Sequence, residues 1–200
     1  MLEIGSGGGF LKEKLSCISS EVFFTPGIDC VLDGQALPFP DSSLRAILMV
    51  DVLHHIPDVA RFFAEVQRAL KPNGVIAMIE PWNTAWSRFI YQNFHPEPFL
   101  PESATWALPP GGPLTSANGA LPWIVFQRDY QQFQSLFPRL RLENLTLDYP
   151  FTYLASGGVS LRELFPGWSF SLWRGIERLL LPLMPYLAMF AFITIRRDHL

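Results

Sequence analysis

The sequence predicts an α/β protein whose parallel sheet is covered by helices. Three observations carry this. Strand and helix signals alternate in short steps through the first half, two continuously apolar runs each end on an acid, and a glycine cluster follows the first apolar stretch.

Taken in order, residues 1–4 form a short apolar strand that ends at Gly5, Gly7, Gly8 and Gly9. A short helix over 10–15 follows, then a strand over 17–20 closing on Glu21 and another over 30–32 closing on Asp33. Residues 46–50 are apolar without interruption, as in a strand buried on both faces, and end on Asp51. Pro57 and Asp58 then open a helix with Val59, Phe62, Phe63, Val66 and Leu70 at helical spacing and Arg61 and Glu65 one turn apart outside. Pro72, Asn73 and Gly74 stop it, and residues 75–79 make a second apolar strand ending on Glu80.

From 81 to 122 the periodicity dissolves into proline and tryptophan, which reads as a long excursion without sheet elements. Asp129 caps a helix reaching Leu136, and residues 140–147 form a strand. Residues 169–181 read as an amphipathic helix. Leu172, Trp173, Ile176, Leu179 and Leu180 are expected to face the core, and Arg174, Glu177 and Arg178 the solvent. Residues 188–195 are the final strand. The segment 179–195 has no Asp, Glu, Lys or Arg but is interrupted by Pro182 and Pro185, so it is read as helix end, turn and strand and not as a membrane span.

Two hundred residues suit one domain, and 49% hydrophobic against 16% charged residues exclude a disordered chain. Fifteen Lys and Arg against eighteen Asp and Glu give a net charge of -3, which supplies no basic field for nucleic acid. Cys17 and Cys30 are too few for a four-thiolate metal site, no metal is expected, and without a basic, signal-like start the chain reads as cytoplasmic.

The chemistry concentrates in Glu3-Ile-Gly5-Ser6-Gly7-Gly8-Gly9, a strand-to-turn passage where missing Cβ atoms let a ligand approach the backbone. The spacing is not Gly-x-Gly-x-x-Gly, because Phe10 and Lys12 stand where the third glycine would fall, so a dinucleotide pyrophosphate site is excluded. What remains is acid-x-Gly-x-Gly-x-Gly. With Asp33-Gly-Gln-Ala-Leu-Pro-Phe-Pro-Asp41, Asp51-Val-Leu-His-His55 and Leu70-Lys-Pro-Asn-Gly74 in order behind it, the chain resembles the class I S-adenosylmethionine-dependent methyltransferases. Within them it resembles the small-molecule branch of the type-11 domain, over residues 1–82.

That resemblance implies a Rossmann-like α/β single domain over 1–200, its sheet mostly parallel with an antiparallel last strand: a cofactor-binding half at 1–82, a proline- and tryptophan-rich lid or substrate insertion at 83–128 and a C-terminal half at 129–200. It also implies a missing N-terminal cap, since members carry helical sequence before the first strand. It implies S-adenosyl-L-methionine as cofactor, the turn of Gly5, Ser6, Gly7 and Gly9 cradling its methionine end and Glu3 fixing its amino group. Glu21 would accept from the ribose hydroxyls, Asp33, Gly34 and Gln35 would meet the adenine edge, and Asp51 and Leu53 would line the methyl-transfer face. The stretch 23–27 replaces a helix common in the family.

If the acceptor is a hydroxyl, a base assists, and His54, His55 and Glu80 are the candidates at the carboxyl ends of strands, followed by Tyr91 and His95. The expected acceptor is a small molecule of lipid-linked or glycan type, with peripheral membrane contact through the greasy C-terminal part. Arg162, Arg174 and Arg178 are candidates for head groups or phosphate. The residues after Asp51 are not the Pro-Pro-aromatic run of a base-flipping amino-methyltransferase, which again excludes nucleic acid. The alternative is a non-catalytic module of the same fold that binds the cofactor or a protein.

Overall fold

The computed structural model describes residues 1–9, 11–109, 111–112, 116–158 and 166–199. One sheet runs through it, formed by β1 (Leu2–Ile4), β2 (Ile18–Glu21), β3 (Cys30–Val31), β4 (Leu44–Val50), β5 (Leu70–Pro81), β6 (Leu140–Asp148) and β7 (Phe190–Arg197). Their order is β3-β2-β1-β4-β5-β7-β6. The first five strands pair in parallel, and β7 runs antiparallel between β5 and β6. This is the mostly parallel Rossmann-like sheet that the family resemblance implies. The strand order reverses between β1 and β4, the place where open α/β sheets leave a crevice beyond the carboxyl ends of their strands.

Helix α1 (Val59–Ala69) starts where Asp58 accepts a hydrogen bond from the Arg61 amide at 3.0 Å, and it buries Val59, Phe62, Phe63 and Val66 as their spacing predicts. Helix α2 (Ala85–Phe94) lies inside the proline and tryptophan excursion, where the sequence shows no helical period. Its start is a capping box in which Thr84 and Ser87 each bond the other's backbone amide. The usual Glu or Gln is replaced by serine there, so the signal was faint. Helix α3 (Leu121–Trp123) continues as a wider turn, Ile124–Arg128, and precedes α4 (Tyr130–Leu136). Asp129 does not cap α4 through its side chain; its carboxylate accepts from Trp106 Nε1 at 2.9 Å instead. Phe63 meets Phe126 and Phe133 edge-on, with ring centroids 5.7 and 5.2 Å away, which ties α1 to this region in one aromatic core.

Two further expectations change. The helix read over 10–15 is a single turn in its described part, closed by Leu15 N on Leu11 O, because one turn is too short to propagate; Phe10 lies outside the described residues. Leu70 starts β5 instead of ending α1. Residues 71–74 bulge between the Leu44–Leu70 and Ala46–Val75 pairings, with Asn73 at φ 62°.

The C-terminal helices are α5 (Thr152–Ala155), α6 (Phe170–Leu179) and α7 (Met184–Leu187). α6 reverses the predicted facing: Glu177 is buried, whereas Leu172 and Leu179 are 62% and 81% exposed. Charge pairing sets this orientation. Arg174 bonds Asp148 Oδ1 and Oδ2 at 2.9 and 2.6 Å and stacks over the Tyr149 ring, while Glu177 Oε1 accepts from the Phe151 and Thr152 amides at the start of α5. Arg162 lies outside the described residues. Among those described, no helix is long and apolar enough to cross a membrane.

The glycine turn supplies a stability test. Gly5 has φ 70°, and a Cβ there would run into the side chain of Val52, whereas Gly7 has φ 49° and open space around it. Gly5→Ala is expected to cost about 2–4 kcal/mol and Gly7→Ala about 1 kcal/mol in urea unfolding. Equal losses would show that Val52 does not constrain the turn. A second test is acid-specific. Burial alone would raise the Asp148 carboxyl, but the hydrogen bonds from Arg174 and the Tyr149 amide outweigh it and hold it below the usual range. The pair therefore contributes fully above the ordinary carboxylate range and is lost as pH falls through the depressed value. Protection of the α6 amides, the free-chain exchange rate at each pH divided by the observed rate, should fall on acidification in the native chain, and Arg174→Met should remove that pH dependence.

Candidate active site

At the switch point the carboxyl ends of β1 to β4 open onto a cavity of about 380 Å³, within the size range of small-molecule sites. Gly5, Glu21, Asp33, Gly34, Gln35 and Asp51 line it, with Leu32, Val52 and Ile56 supplying apolar wall. The glycine turn is latched to the neighbouring strand: Ser6 N bonds Ser20 O, Ser20 N bonds the Ser6 hydroxyl, and the Ser20 hydroxyl bonds Glu3 O at 2.6 Å. Glu21 Oε1 accepts from Gly7 N at 2.6 Å, so this carboxylate clamps the turn while facing the cavity. Asp33 Oδ1 accepts from the Gln35 amide at 2.8 Å, and Gln35 Oε1 accepts from Asp58 N, which fixes the loop after β3 to the start of α1.

Glu3, Ser6, Gly7, Gly9 and Leu53 stand outside this lining. Glu3 is buried, with its carboxylate 4.0 Å from Cys17 Sγ. Burial raises its carboxyl above the ordinary range, Ser6 opposes by hydrogen bonding and the Glu21 charge adds to the rise. Its place beneath the turn suits support of Ser6 more than direct ligand contact.

A second, smaller cavity of about 120 Å³ adjoins the first, and Asp51 and His55 border both. Asp51 turns the chain after β4 with φ 58°, a left-handed conformation that Asp tolerates better than most residues. That turn aims the next two amides, Val52 N and Leu53 N, at Glu80 Oε1, at 2.9 and 2.7 Å, while Glu80 Oε2 bonds His54 Nδ1 at 2.9 Å. Glu80 is fully buried and its oxygens are engaged, so it positions its neighbours and is not a free base. His54 Nε2 lies 3.5 Å from Glu97, and His55 Nε2 lies 3.6 Å from the other oxygen of the same carboxylate.

Electrostatics separates these groups. Burial alone would lower His54, but hydrogen bonds to Glu80 and Glu97 and the charges of Glu80 and Asp51 outweigh it and push it up to about 10. Burial, with the His54 charge, lowers His55. Desolvation raises Asp51 to about 7, with Glu80 and Glu97 adding and His54 opposing; its free surface faces the two cavities. Burial also lowers His95 and raises Tyr91.

Tyr91, named from sequence, donates to Met189 O at 3.0 Å and walls the smaller cavity with His95, Phe99 and Tyr153. Sequence reasoning missed Glu97. Its signal is one acid between Pro96 and Pro98 in an aromatic stretch that needs no charge for packing.

Removing the Glu80 carboxylate tests the arrangement. Glu80→Ala leaves the buried Leu53 amide, the part-buried Val52 amide and His54 without their acceptor and is expected to cost about 3–5 kcal/mol. Glu80→Gln keeps an oxygen for both amides and should cost clearly less by thermal or urea unfolding. Equal losses would mean that the amides do not depend on this side chain.

The model of a family described as "Methyltransferase domain" matches residues 24–78, which include Asp33, Asp51, His54 and His55. Among curated proteins, a 2-methyl-6-phytyl-1,4-hydroquinone methyltransferase from Synechocystis sp. is 25% identical over 73% of this chain and 38% of its own length. A phthiotriol/phenolphthiotriol dimycocerosates methyltransferase from Mycobacterium ulcerans is 44% identical over 26% of this chain and 19% of its own. The chain thus matches well under half the length of these relatives. Among solved structures, the YcgJ protein of Bacillus subtilis superposes with a TM-score of 0.55 at 15% identity, covering 100% of this chain and 91% of that one. A methyltransferase-like structure from Bacillus halodurans gives 0.55 at 14% identity, covering 99% and 92%. At such identities the likeness is one of fold. The strand order and the crevice at its reversal are those of the fold these solved structures share, and residues 24–78 are similar to the methyltransferase domain of the matched family.

Proposed function

We propose that this chain transfers a methyl group from S-adenosylmethionine to a small-molecule acceptor carrying a large apolar part. The observation that carries the reading is the pair of adjoining cavities, with Asp51 and His55 at their common border. The larger one fits the cofactor chemically. It presents carboxylates at Glu21 and Asp33 as acceptors for hydroxyl and amine donors, apolar wall at Leu32 and Ile56, and backbone at Gly5 where no side chain fits.

Glu21 would hold the ribose hydroxyls, Asp33, Gly34 and Gln35 the adenine edge, and the turn from Gly5 to Gly9, kept in shape by Glu3 and Ser6, the methionine end. Leu53, just beyond Asp51, supports the transfer face from behind. When bound, the cofactor supplies a methyl already activated by its sulfonium charge. The protein's task is then to align the acceptor and exclude water. Asp51 borders both cavities with a carboxyl held near neutrality, which suits it to take a proton from an acceptor hydroxyl. His54 and His55, with Glu80 behind them, shape the acceptor side.

The apolar acceptor is supported by relatives named for a phytyl hydroquinone and for phthiotriol-type dimycocerosates, and by the reversed helix α6. Trp168 and Tyr186, 82% and 65% exposed, and the exposed Leu172 and Leu179 are large apolar side chains on the outside of the C-terminal elements, which suit peripheral contact with a lipid layer. Glu177 links α6 to α5, whose Tyr153 walls the smaller cavity, so the surface and the acceptor pocket share a support.

Calorimetric titration with S-adenosylmethionine and S-adenosylhomocysteine tests the cofactor reading. Both should bind, Glu21→Ala should weaken them at least about 10-fold, and absence of binding to folded protein would refute the proposal. Asp51→Asn should keep cofactor binding and lower labelled methyl transfer to a phytyl hydroquinone or a lipid extract by about 100-fold or more. Cofactor binding with no transfer to any fraction would favour the non-catalytic module. Co-sedimentation with phospholipid vesicles should fall when Leu172 and Leu179 are both changed to Glu; unchanged sedimentation would remove the membrane contact.

A further inference from the structure

The smaller cavity holds two imidazoles whose roles are set by their outer nitrogens. His54 Nδ1 faces Glu80 Oε2 at 2.9 Å, and His55 Nδ1 faces the Ser116 carbonyl at 3.3 Å. A carboxylate and a carbonyl only accept, so in both rings Nδ1 carries a proton and donates; His54 Nε2 carries a second proton toward Glu97, which an incoming metal ion would displace. Nε2 of each ring is then turned inward, and both face the same group: Glu97 Oε2 lies 3.5 Å from His54 Nε2, and Glu97 Oε1 lies 3.6 Å from His55 Nε2. At His55, whose Nδ1 already holds the proton, a lone pair confronts a carboxylate oxygen.

Acceptor facing acceptor is repulsive unless a cation stands between them. These two contacts, to separate oxygens of Glu97, have the separation of ligands on one ion, since two atoms each about 2.0–2.2 Å from a tetrahedral metal lie roughly 3.3–3.6 Å apart. His54, His55 and Glu97 offer one atom each within 4.8 Å of one another.

We propose that His54 Nε2, His55 Nε2 and the Glu97 carboxylate form a binding site for a divalent transition-metal ion of the zinc type. Two nitrogens and one carboxylate are a borderline-soft set that suits zinc, cobalt or iron(II) better than magnesium or calcium. The Glu80 contact and the Ser116 carbonyl supply the outer hydrogen bonds that fix metal-binding histidines. Three protein ligands leave a coordination position open, and it faces a cavity bordered by Asp51 and walled by Tyr91 and Phe99. A water or an acceptor oxygen would occupy it, where the ion would act as a Lewis acid. The site involves groups that the cofactor reading does not require, and metal binding is measured without any methyl transfer.

Calorimetric titration of the whole chain with Zn²⁺, and of the same protein with Co²⁺ followed by visible absorption, tests this directly. One equivalent should bind, with Co²⁺ giving intense tetrahedral bands. His55→Ala and Glu97→Gln, at half-buried positions that keep the fold by circular dichroism, should each weaken binding at least 100-fold. Glu80→Gln presents an amide to His54 Nδ1, favours the proton on Nε2 and should weaken binding about 10–100-fold. The double variant Cys17→Ser with Cys30→Ser, and His199→Ala, should leave it unchanged. Failure to bind a stoichiometric ion overturns the proposal, as does binding that survives in the His55 and Glu97 variants or disappears in the cysteine variant.

Discussion

The buried Glu80 carboxylate is the interaction on which the site depends. It stands near the end of β5, directly beside β4, and collects two consecutive amides and one imidazole from the chain that leaves β4. Without that acceptor, the left-handed turn at Asp51 would leave polar groups buried and unpaired. With it, the strained residue becomes the cheapest way to direct Asp51 into the cavities while His54 points inward. The geometry of the border between the two cavities therefore follows from a contact that lies outside both.

Much of the fold was legible because its signals are local and redundant. The apolar runs of β4 and β5 end on acids, and α1 combines a capping aspartate with a five-residue apolar stripe, so neither needs tertiary information to be identified. The turn between Gly5 and Gly9 was legible for the same reason. The part that sequence obscured has a common cause: the deciding partner lies far away in the chain. Nothing near residues 85–94 announces a helix except a serine standing in for the usual capping acid. Glu97 gains meaning only when residues 54 and 55 face it across the cavity.

Helix α6 shows the limit most clearly. An amphipathic pattern fixes the axis that divides two faces but carries no sign saying which face meets the protein. Here Asp148, twenty-six residues upstream, supplies the sign by capturing Arg174. Local periodicity predicted the segmentation, and a distant carboxylate reversed the orientation. The same split applies to the site residues: the family resemblance named Glu21, Asp33 and Asp51, each at a strand end, whereas their division between two cavities came from packing.

The position of β7 has a kinetic implication. Among the described residues β6 joins the sheet solely through β7, and β7 follows both of its neighbours in sequence yet pairs with each of them. Until residues 190–197 arrive, β5 and β6 each expose a row of unsatisfied amides and carbonyls, a template for intermolecular pairing. Assembly of the sheet must therefore wait for its latest contributor, and the interval before insertion is when a nascent or thermally opened molecule is most prone to self-association.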